Sequence, residues 1–325
     1  MGAISSAARC PAELYLDLLK RCLTRVLFPD RNLHYDLAST SPLAIADRVQ
    51  GRDWPTEAET MVGLLRLDSL QACIVNVLEN GIPGDLVETG VWRGGASIFM
   101  RAVLKAYGDC GRHIWLADSF QGLPAPDSVL YPRDAGDRHH QLSGYLAVTI
   151  EEVKTNFERY GLLDEQVCFL PGWFKDTLPT APIERIAVLR LDGDMYGSTL
   201  QALEHLYHRV ADGGYVVVDD YGALPNCRQA VEDFRTAHEV TEPIFHIDWT
   251  GAFWQKGRFN ATPPPHTCGG STGEERETNA PDAVFSEARY LTLHPDVAQA
   301  VRQGHFASGG EHFLKYGKAE GRRIS

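Results

Sequence analysis

Four aspartates follow two predicted strands in the second half of the chain. Asp192 and Asp194 end the apolar run IAVLRLDGD (186–194), and Asp219 and Asp220 end YVVVDD (215–220). If the two strands are parallel neighbours, the four carboxylates meet at one edge of the sheet and repel one another. A hard divalent ion such as Mg²⁺ takes oxygen ligands and leaves positions for substrate hydroxyls. The pattern therefore predicts a magnesium site that activates a hydroxyl, with a spare carboxylate to accept its proton.

The same aspartates could instead cap helices or form turns, because aspartate is common at both kinds of position. Two capping-box patterns offer the following helices other caps, namely Ser198 with Gln201 and Asn226 with Gln229. We therefore favour the metal site over the capping role for the aspartates.

A glycine-rich turn follows an earlier predicted strand, in ETGVWRGGAS (88–97). Its glycines let the backbone pass close to a ligand, and the helix that opens near Gly94 directs free N–H groups toward the strand end. The spacing is ExGxxxG, whereas dinucleotide-binding folds use GxGxxG. A carboxylate at Glu88 repels a pyrophosphate but suits the methionine moiety of S-adenosylmethionine, and Asp118 at the end of the next strand can accept both ribose hydroxyls. A nucleoside cofactor is predicted, and NAD stays an alternative.

The long segment between Ser119 and Ile150 follows a strand end, and loops of this length are usually functional or mobile. It contains His139 and His140, either of which can act as a base near neutral pH, although a solvated pair of loop histidines is the simpler interpretation. Trp173, after Gly172, either stacks on an adenine or forms a pocket wall.

Five short apolar runs alternate with segments of helical spacing from Asp85 onward, which predicts an α/β fold with a mostly parallel sheet covered on both faces. Ligands bind such sheets at the carboxyl ends of the strands. Residues 15–26 and 57–78 are predicted amphipathic helices that pack beside the sheet or cover the strand ends as a lid.

Composition limits the possible partners. The 325 residues carry a net charge of −12 with no strong basic patch, which argues against nucleic-acid and anionic-membrane partners. Seven scattered cysteines without a CxxC pair indicate neither a zinc site nor a disulfide framework, as is typical of a cytoplasmic protein. We expect a main domain over 1–258, a Pro/Gly/Thr-rich linker over 259–283 and a small helical module over 284–325.

Several stretches in one order resemble the macrocin O-methyltransferase family, from about Tyr15 to Lys256. They include DLVETGVWRGGASIFMRAVL, LADSFQGLP, GWFKDTLP, LRLDGDMYGSTLQALEHLY and GGYVVVDDYG. The resemblance implies a Rossmann-like class I methyltransferase with a seven-stranded sheet whose last strand is antiparallel. It also implies an enzyme that uses S-adenosylmethionine and Mg²⁺ to methylate sugar hydroxyls of antibiotics and related natural products.

The resemblance also implies roles for individual residues. The cofactor's amino-acid end would contact Thr60, Met61, Glu88, Gly90, Val91, Trp92 and Arg93. Its ribose would contact Asp118 and Ser119, and its adenine Gly172 and Trp173. The metal ligands would be Asp192, Asp219 and Asp220, with Asp192 also near the cofactor. Asp194 would be the general base, and His139 is the alternative base.

Other functions stay open at this point. A catechol-like acceptor is an alternative to a glycosylated or polyhydroxylated small molecule, and an NAD-dependent dehydrogenase or a non-catalytic binding protein are alternatives to the methyltransferase. We also expect a homo-oligomer. The tail from Phe285 to Arg322 is similar to a short module appended to varied bacterial enzymes, whose function the resemblance does not establish.

Overall fold

The computed structural model describes residues 10–257. Seven strands of this region form one sheet in the order β5-β4-β3-β6-β7-β9-β8. They are β3 (Asp85–Thr89), β4 (Ile114–Asp118), β5 (Val167–Pro171), β6 (Ile186–Leu191), β7 (Val210–Val218), β8 (Phe245–His246) and β9 (Ala252–Gln255). The pairs among β3 to β7 are parallel, and β9 runs antiparallel to both β7 and β8. A small hairpin of β1 (Arg31–Leu33) and β2 (Thr40–Pro42) precedes the sheet.

Helices cover both faces of the sheet, which confirms the predicted fold class. They are α1 (Pro11–Leu23), α2 (Ile45–Gln50), α3 (Leu64–Glu79), α4 (Gly95–Ala106), α5 (Ser143–Leu146), α6 (Ile150–Arg159), α7 (Phe174–Thr177), α8 (Tyr196–Leu206) and α9 (Pro225–Ala237). Successive strand side chains point to opposite faces, so Leu86 and Val188 join the core under α1, α3, α4 and α6, whereas Val87 and Leu189 join the core under α8 and α9. Within the described residues, none of the helices has the length and apolar character that crossing a membrane requires.

The N-terminal helices begin and end at other residues than predicted. α1 starts at Pro11, and α3 starts only at Leu64, because the carboxylate of Asp30 accepts backbone N–H groups of Glu57 and Ala58 at 3.0 Å each and holds this stretch out of a helix. α1 and α3 pack beside the sheet against α4, and the non-helical connection over 51–62 lies at the strand ends.

The long segment after β4 is held in place by specific contacts. Buried Asp134 accepts the N–H groups of Tyr196 and Gly197 at 2.8 Å each and so caps α8 from a distant part of the chain. The capping-box predictions were therefore wrong: Ser198 lies inside α8, and Asn226 lies inside α9, which begins at Pro225. The predicted linker and C-terminal module lie outside the described residues.

Candidate active site

Two cavities lie at the carboxyl ends of the strands. The larger, of about 330 Å³, is called the nucleoside cavity because it contains the residues predicted to hold a nucleoside. The smaller, of about 210 Å³, is called the acidic cavity because Glu88, Asp192, Asp194, Asp219 and Asp220 line it. They share walls, and the shared residues are Met61, Val91, Trp92, Leu146, Asp192 and Asp194. Ligands in the two cavities would therefore come closest to each other beside Asp192 and Asp194.

Backbone geometry builds the nucleoside cavity. Gly90 has φ +87°, and a Cβ atom there would lie 1.7 Å from the carbonyl oxygen of Asp192, so the chain can pass here only as glycine. Three non-glycine residues adopt left-handed conformations just after β3, β4 and β6: Trp92 (φ 48°), Phe120 (φ 56°) and Asp194 (φ 56°). Strained backbone of this kind clusters at ligand-binding sites.

The acid predicted to contact a ribose lies on the wall of the nucleoside cavity. Asp118 accepts the N–H groups of Val91 at 2.6 Å and Phe120 at 2.7 Å. Burial raises the pKa of this carboxyl group, and the backbone hydrogen bonds act against that rise. Ser119 donates to the carbonyl of Gly122 at 2.8 Å. Both side chains are thus fixed at the cavity, as is Trp173 on the same wall.

Other predicted cofactor contacts take different positions. Met61 and Trp92 line both cavities, whereas Thr60 lines only the acidic one, and its hydroxyl accepts the N–H of Val62 at 3.0 Å. The Arg93 guanidinium donates to the Ala58 carbonyl at 2.9 Å and lies 4.2 Å from the Trp92 ring centroid.

The Arg93 side chain and Gly172 line neither of these two cavities. Gly172 has φ +136°, and its N–H donates to the Asp118 carbonyl at 2.8 Å. Both residues therefore support the cavity wall from behind.

Glu88 belongs to a buried ion-pair network. One carboxylate oxygen lies 2.5 Å from Nη1 of Arg190, and the other accepts the Ser97 hydroxyl. Only 1% of the residue is exposed, and burial raises the pKa of its carboxyl group while Arg190 lowers it. Its charge is thus largely compensated within the protein.

Three carboxylates form a compact group at the junction of the cavities. Asp192, Asp194 and Asp220 each offer an oxygen, and these atoms lie within 4.8 Å of one another. Burial, and then the neighbouring Asp192, raises the pKa of Asp194 to about 7; burial and then Asp194 raise the pKa of Asp220. Oδ2 of Asp220 is buried without a hydrogen-bond partner. An all-oxygen group with an unsatisfied atom fits a hard divalent cation.

Asp219 is separated from this group by its ion pairs. Its carboxylate contacts Nη1 of Arg66 and lies 2.5 Å from Nη2 of Arg190. Burial alone would raise its pKa, but the two guanidinium groups hold it below the usual value. Of the predicted ligands, Asp192 and Asp220 belong to the three-carboxylate group, whereas Asp219 is paired with Arg66 and Arg190. The third member of the group is Asp194, the predicted base.

The structure brings His139, but not His140, to the wall of the acidic cavity. Nδ1 of His139 lies 2.9 Å from Oδ2 of Asp137, whose other oxygen accepts the backbone N–H of His139 at 2.8 Å. The carboxylate thereby fixes the orientation of the imidazole ring.

Two arginines were missed in the sequence analysis. Arg190 is the penultimate residue of the apolar strand β6, and a single cation in a buried strand indicates buried acidic partners; that signal was available. Arg66 lies on α3 among polar and apolar residues, and nothing in its local sequence predicts a contact with Asp219.

The fold and the site agree with one known family. The family model described as macrocin O-methyltransferase matches residues 12–256. The chain belongs to the macrocin O-methyltransferase family. It is therefore an O-methyltransferase, which confirms the resemblance and weighs against the dehydrogenase and the non-catalytic binding protein. The C-terminal module lies beyond the matched region.

Curated relatives and a solved structure agree with this assignment. One relative is 55% identical over 243 residues, covering 75% of this chain and 92% of that enzyme. It is the 8-demethyl-8-(2,3-dimethoxy-alpha-L-rhamnosyl)-tetracenomycin-C 4'-O-methyltransferase of Streptomyces olivaceus. Mycinamicin III 3''-O-methyltransferase of Micromonospora griseorubida is 48% identical, covering 75% and 96%. The solved O-methyltransferase NovP is 47% identical with a TM-score of 0.72, covering 76% of this chain and 100% of that one.

Proposed function

We propose that this chain transfers a methyl group from S-adenosylmethionine to a sugar hydroxyl of a glycosylated small molecule, with a Mg²⁺ ion held by the three-carboxylate group. The observation that carries the proposal is the junction of the two cavities. The nucleoside cavity and the acidic cavity share Asp192 and Asp194, so a methyl donor and a hydroxyl acceptor would meet beside those carboxylates.

The nucleoside cavity would hold the cofactor, which supplies an electrophilic methyl group on its sulfonium. Asp118 keeps lone pairs beyond its two backbone hydrogen bonds and would accept ribose hydroxyls. Trp173 offers an aromatic wall for the adenine. Toward the acidic cavity, Met61, Val91 and Trp92 surround the passage through which the methionine end would extend.

The carboxylate group would hold the divalent ion through Asp192, Asp194 and Asp220. When bound, such an ion lowers the pKa of a coordinated hydroxyl and fixes its position. Burial, and then neighbouring carboxylates, raise the pKa values of all three groups, and Oδ2 of Asp220 has no hydrogen-bond partner. Both observations support a cation at this position, beside the Arg190 guanidinium that lies 2.9 Å from Asp192.

Asp194 is the proposed proton acceptor, because it lines both cavities and so lies where the methyl donor and the acceptor hydroxyl would meet. As the acceptor oxygen forms its bond to the methyl carbon, its proton passes to a carboxylate oxygen of Asp194 and the carbon–sulfur bond breaks. His139 is the alternative base on the opposite part of the wall.

A glycosylated acceptor is supported by the relatives, whose printed names include a rhamnosyl tetracenomycin and a mycinamicin. The carboxylates in the acidic cavity can accept hydrogen bonds from the hydroxyl groups of a sugar. A cytoplasmic location and a homo-oligomer stay predictions from the sequence.

The proposal is tested by binding and turnover with the same preparation. Calorimetry should show binding of S-adenosylhomocysteine but not of NAD, and Mn²⁺ titration followed by electron paramagnetic resonance should show an ion site that Asp220→Asn weakens. With S-adenosylmethionine and Mg²⁺, methyl glycosides should be methylated and dihydroxybenzoate should not. Asp194→Asn should lower kcat by about 10²–10⁴ while binding S-adenosylhomocysteine normally.

Two outcomes would contradict separate parts of the proposal. Full turnover after removal of divalent ions with a chelator would eliminate the metal role and leave the methyl transfer intact. Turnover of dihydroxybenzoate without turnover of any glycoside would replace the sugar acceptor by the catechol-like one.

A further inference from the structure

Trp249 is an exposed aromatic residue at the acidic cavity. It lies in the turn between β8 and β9, lines the cavity, and leaves 37% of its surface exposed. Other large side chains around the strand ends, such as Trp54 and Tyr145, stack on one another, with ring centroids 5.3 Å apart and planes within 5°. An exposed indole in a cavity that also contains the aspartates of the strand ends is therefore a feature that packing alone does not explain.

Contacts on its edge and one face fix the orientation of the indole ring. Nε1 of Trp249 donates to the carbonyl of Gln50 at 2.9 Å, and the Arg52 guanidinium lies 4.5 Å from the ring centroid. Because the cation covers one face, a ligand ring can stack only on the other face. A stacked guanidinium also makes the ring a firmer platform, since cation and indole attract each other.

The turn that carries Trp249 is tied to the acidic edge of the sheet. Asp248 accepts the N–H groups of Thr250 at 3.0 Å and Gly251 at 2.7 Å, and its other oxygen accepts from Nε of Arg66 at 3.1 Å. The Thr250 hydroxyl donates to the backbone carbonyl of Asp219 at 3.0 Å. The indole is therefore positioned relative to the carboxylates by a short path of hydrogen bonds.

We propose that Trp249 is the platform on which the acceptor's pyranose ring stacks, so that the ring hydroxyls point toward Asp194 and Asp220. A pyranose has an apolar face of C–H groups and a rim of hydroxyls. That distribution complements one aromatic wall and one carboxylate wall in the same cavity. This inference rests on the proposed function, because it specifies how a sugar acceptor binds.

The experiment uses a panel of methyl pyranosides, with methyl α-L-rhamnopyranoside included because one relative's name contains a rhamnosyl group. KM and kcat are measured for every glycoside that the wild-type chain methylates. Trp249→Leu, which keeps an apolar side chain but removes the aromatic face, should raise KM about tenfold, the equivalent of about 1.4 kcal/mol, with kcat changed less than twofold. Trp249→Phe should change KM less than threefold, since an aromatic face remains.

Tyr107→Leu is the matched control. Tyr107 is similarly exposed, at 39%, but follows α4 at the amino ends of the strands, so its loss should change neither constant. Binding of S-adenosylhomocysteine by all three variants reports that the fold is intact. If Trp249→Leu does not fold, fluorescence supplies the answer: the accepted glycoside should change tryptophan emission in the wild-type chain and change it much less in Trp249→Phe, in which Trp54 and Trp92 still line the cavity.

The outcomes separate the platform from the underlying function. If KM for an accepted glycoside is unchanged in Trp249→Leu, or if only kcat falls, the platform is wrong and the proposed methyl transfer is unaffected. A glycoside-induced emission change that is undiminished in Trp249→Phe overturns it equally. If the wild-type chain methylates no glycoside at all, the sugar acceptor itself is wrong and the platform fails with it.

Discussion

The two cavities meet at the same aspartates but are stabilised in different ways. In the nucleoside cavity each buried carboxylate is bound to backbone N–H groups: Asp118 to the turns after β3 and β4, and Asp134 to the start of α8. In the acidic cavity the carboxylates face other side chains, and only some of them have a cation. The first cavity is therefore specified by the path of the backbone, and the second by a balance of charge.

The charge balance changes between two consecutive residues. Asp219 contacts both Arg66 and Arg190, and its pKa is lowered, whereas Asp220 faces Asp194, and its pKa is raised. The protein thus compensates the charge of Asp219 with two arginines, whereas the nearest charged neighbour of Asp220 is another carboxylate. Substitutions that disturb the backbone in the nucleoside cavity should therefore affect stability differently from substitutions that change the charge balance in the acidic cavity.

The largest effect is expected from Gly90→Ala. The added Cβ atom would overlap the Asp192 carbonyl oxygen at a φ of +87°, so β3 and β6 would have to move apart. We expect a loss of about 3–5 kcal/mol in the free energy of unfolding, measured with urea, and loss of S-adenosylhomocysteine binding.

Gly108→Ala is the control for the backbone conformation alone. Gly108 also has a positive φ, of +72°, but nothing lies within 4 Å of the position that a Cβ would take. Gly108→Ala should lower the free energy of unfolding by about 1 kcal/mol and leave cofactor binding normal. Equal losses in the two variants would show that the close approach to Asp192 is unimportant.

In the acidic cavity, substitutions of the neighbouring Asp219 and Asp220 should have smaller effects on the free energy of unfolding, and these effects should differ in sign. Asp219→Asn leaves two buried guanidinium groups without their shared carboxylate, which should lower the free energy of unfolding by about 2–4 kcal/mol. Asp220→Asn removes a carboxylate that faces Asp194, so stability without metal should be unchanged or up to about 1 kcal/mol higher.

Urea unfolding at pH 8 with a chelator measures both variants under the same conditions. If both substitutions destabilise the protein equally, the compensation of Asp219 by arginine is not what distinguishes the two residues.

The same contrast explains what the sequence could predict. The apolar runs before Asp192 and Asp219 predicted two strands whose acids share an edge, and β6 and β7 are indeed paired neighbours, with Leu191 opposite Val218. The division of labour among the acids was not predictable locally, because the Arg66 that binds Asp219 lies 153 residues earlier in the chain. A contact between residues so far apart in sequence leaves no local pattern from which to predict it.

The wrong helix caps have the same cause. Capping boxes are local patterns, but the cap of α8 is Asp134, more than sixty residues away in the long segment after β4. The glycine turn was recognised from sequence because its glycine spacing and positive φ are local, although the approach of Gly90 to the Asp192 carbonyl is not. Features set by the backbone of a few residues were thus predictable, and features set by distant side chains were not.

An intermediate effect is expected from Asp134→Ala. Losing this cap should lower the free energy of unfolding by about 1–2 kcal/mol. It should also release a wall of the nucleoside cavity, so that S-adenosylhomocysteine binds more weakly in calorimetry. Asp36→Ala is the control, since exposed Asp36 accepts the N–H groups of Ala38 and Ser39 in its own turn and lines neither cavity. A cofactor affinity equally reduced in both variants would mean that a general loss of stability, not the loss of the cap, weakens cofactor binding.

The smallest effect is expected from Asp137→Asn, which sharpens the assignment of the base. Asp137 orients the His139 ring through its contact with Nδ1, and an amide holds that orientation less strongly than a carboxylate. If Asp194 is the proton acceptor, Asp137→Asn and His139→Gln should each lower kcat less than about tenfold, because the histidine only lines the cavity. A different outcome would assign the role of proton acceptor to the His139 imidazole. In that outcome His139→Gln lowers kcat by about 10³, Asp137→Asn shifts the pH profile, and Asp194→Asn stays nearly active. The carboxylate group would then serve the cation alone, and the charge balance of the acidic cavity would have a single purpose.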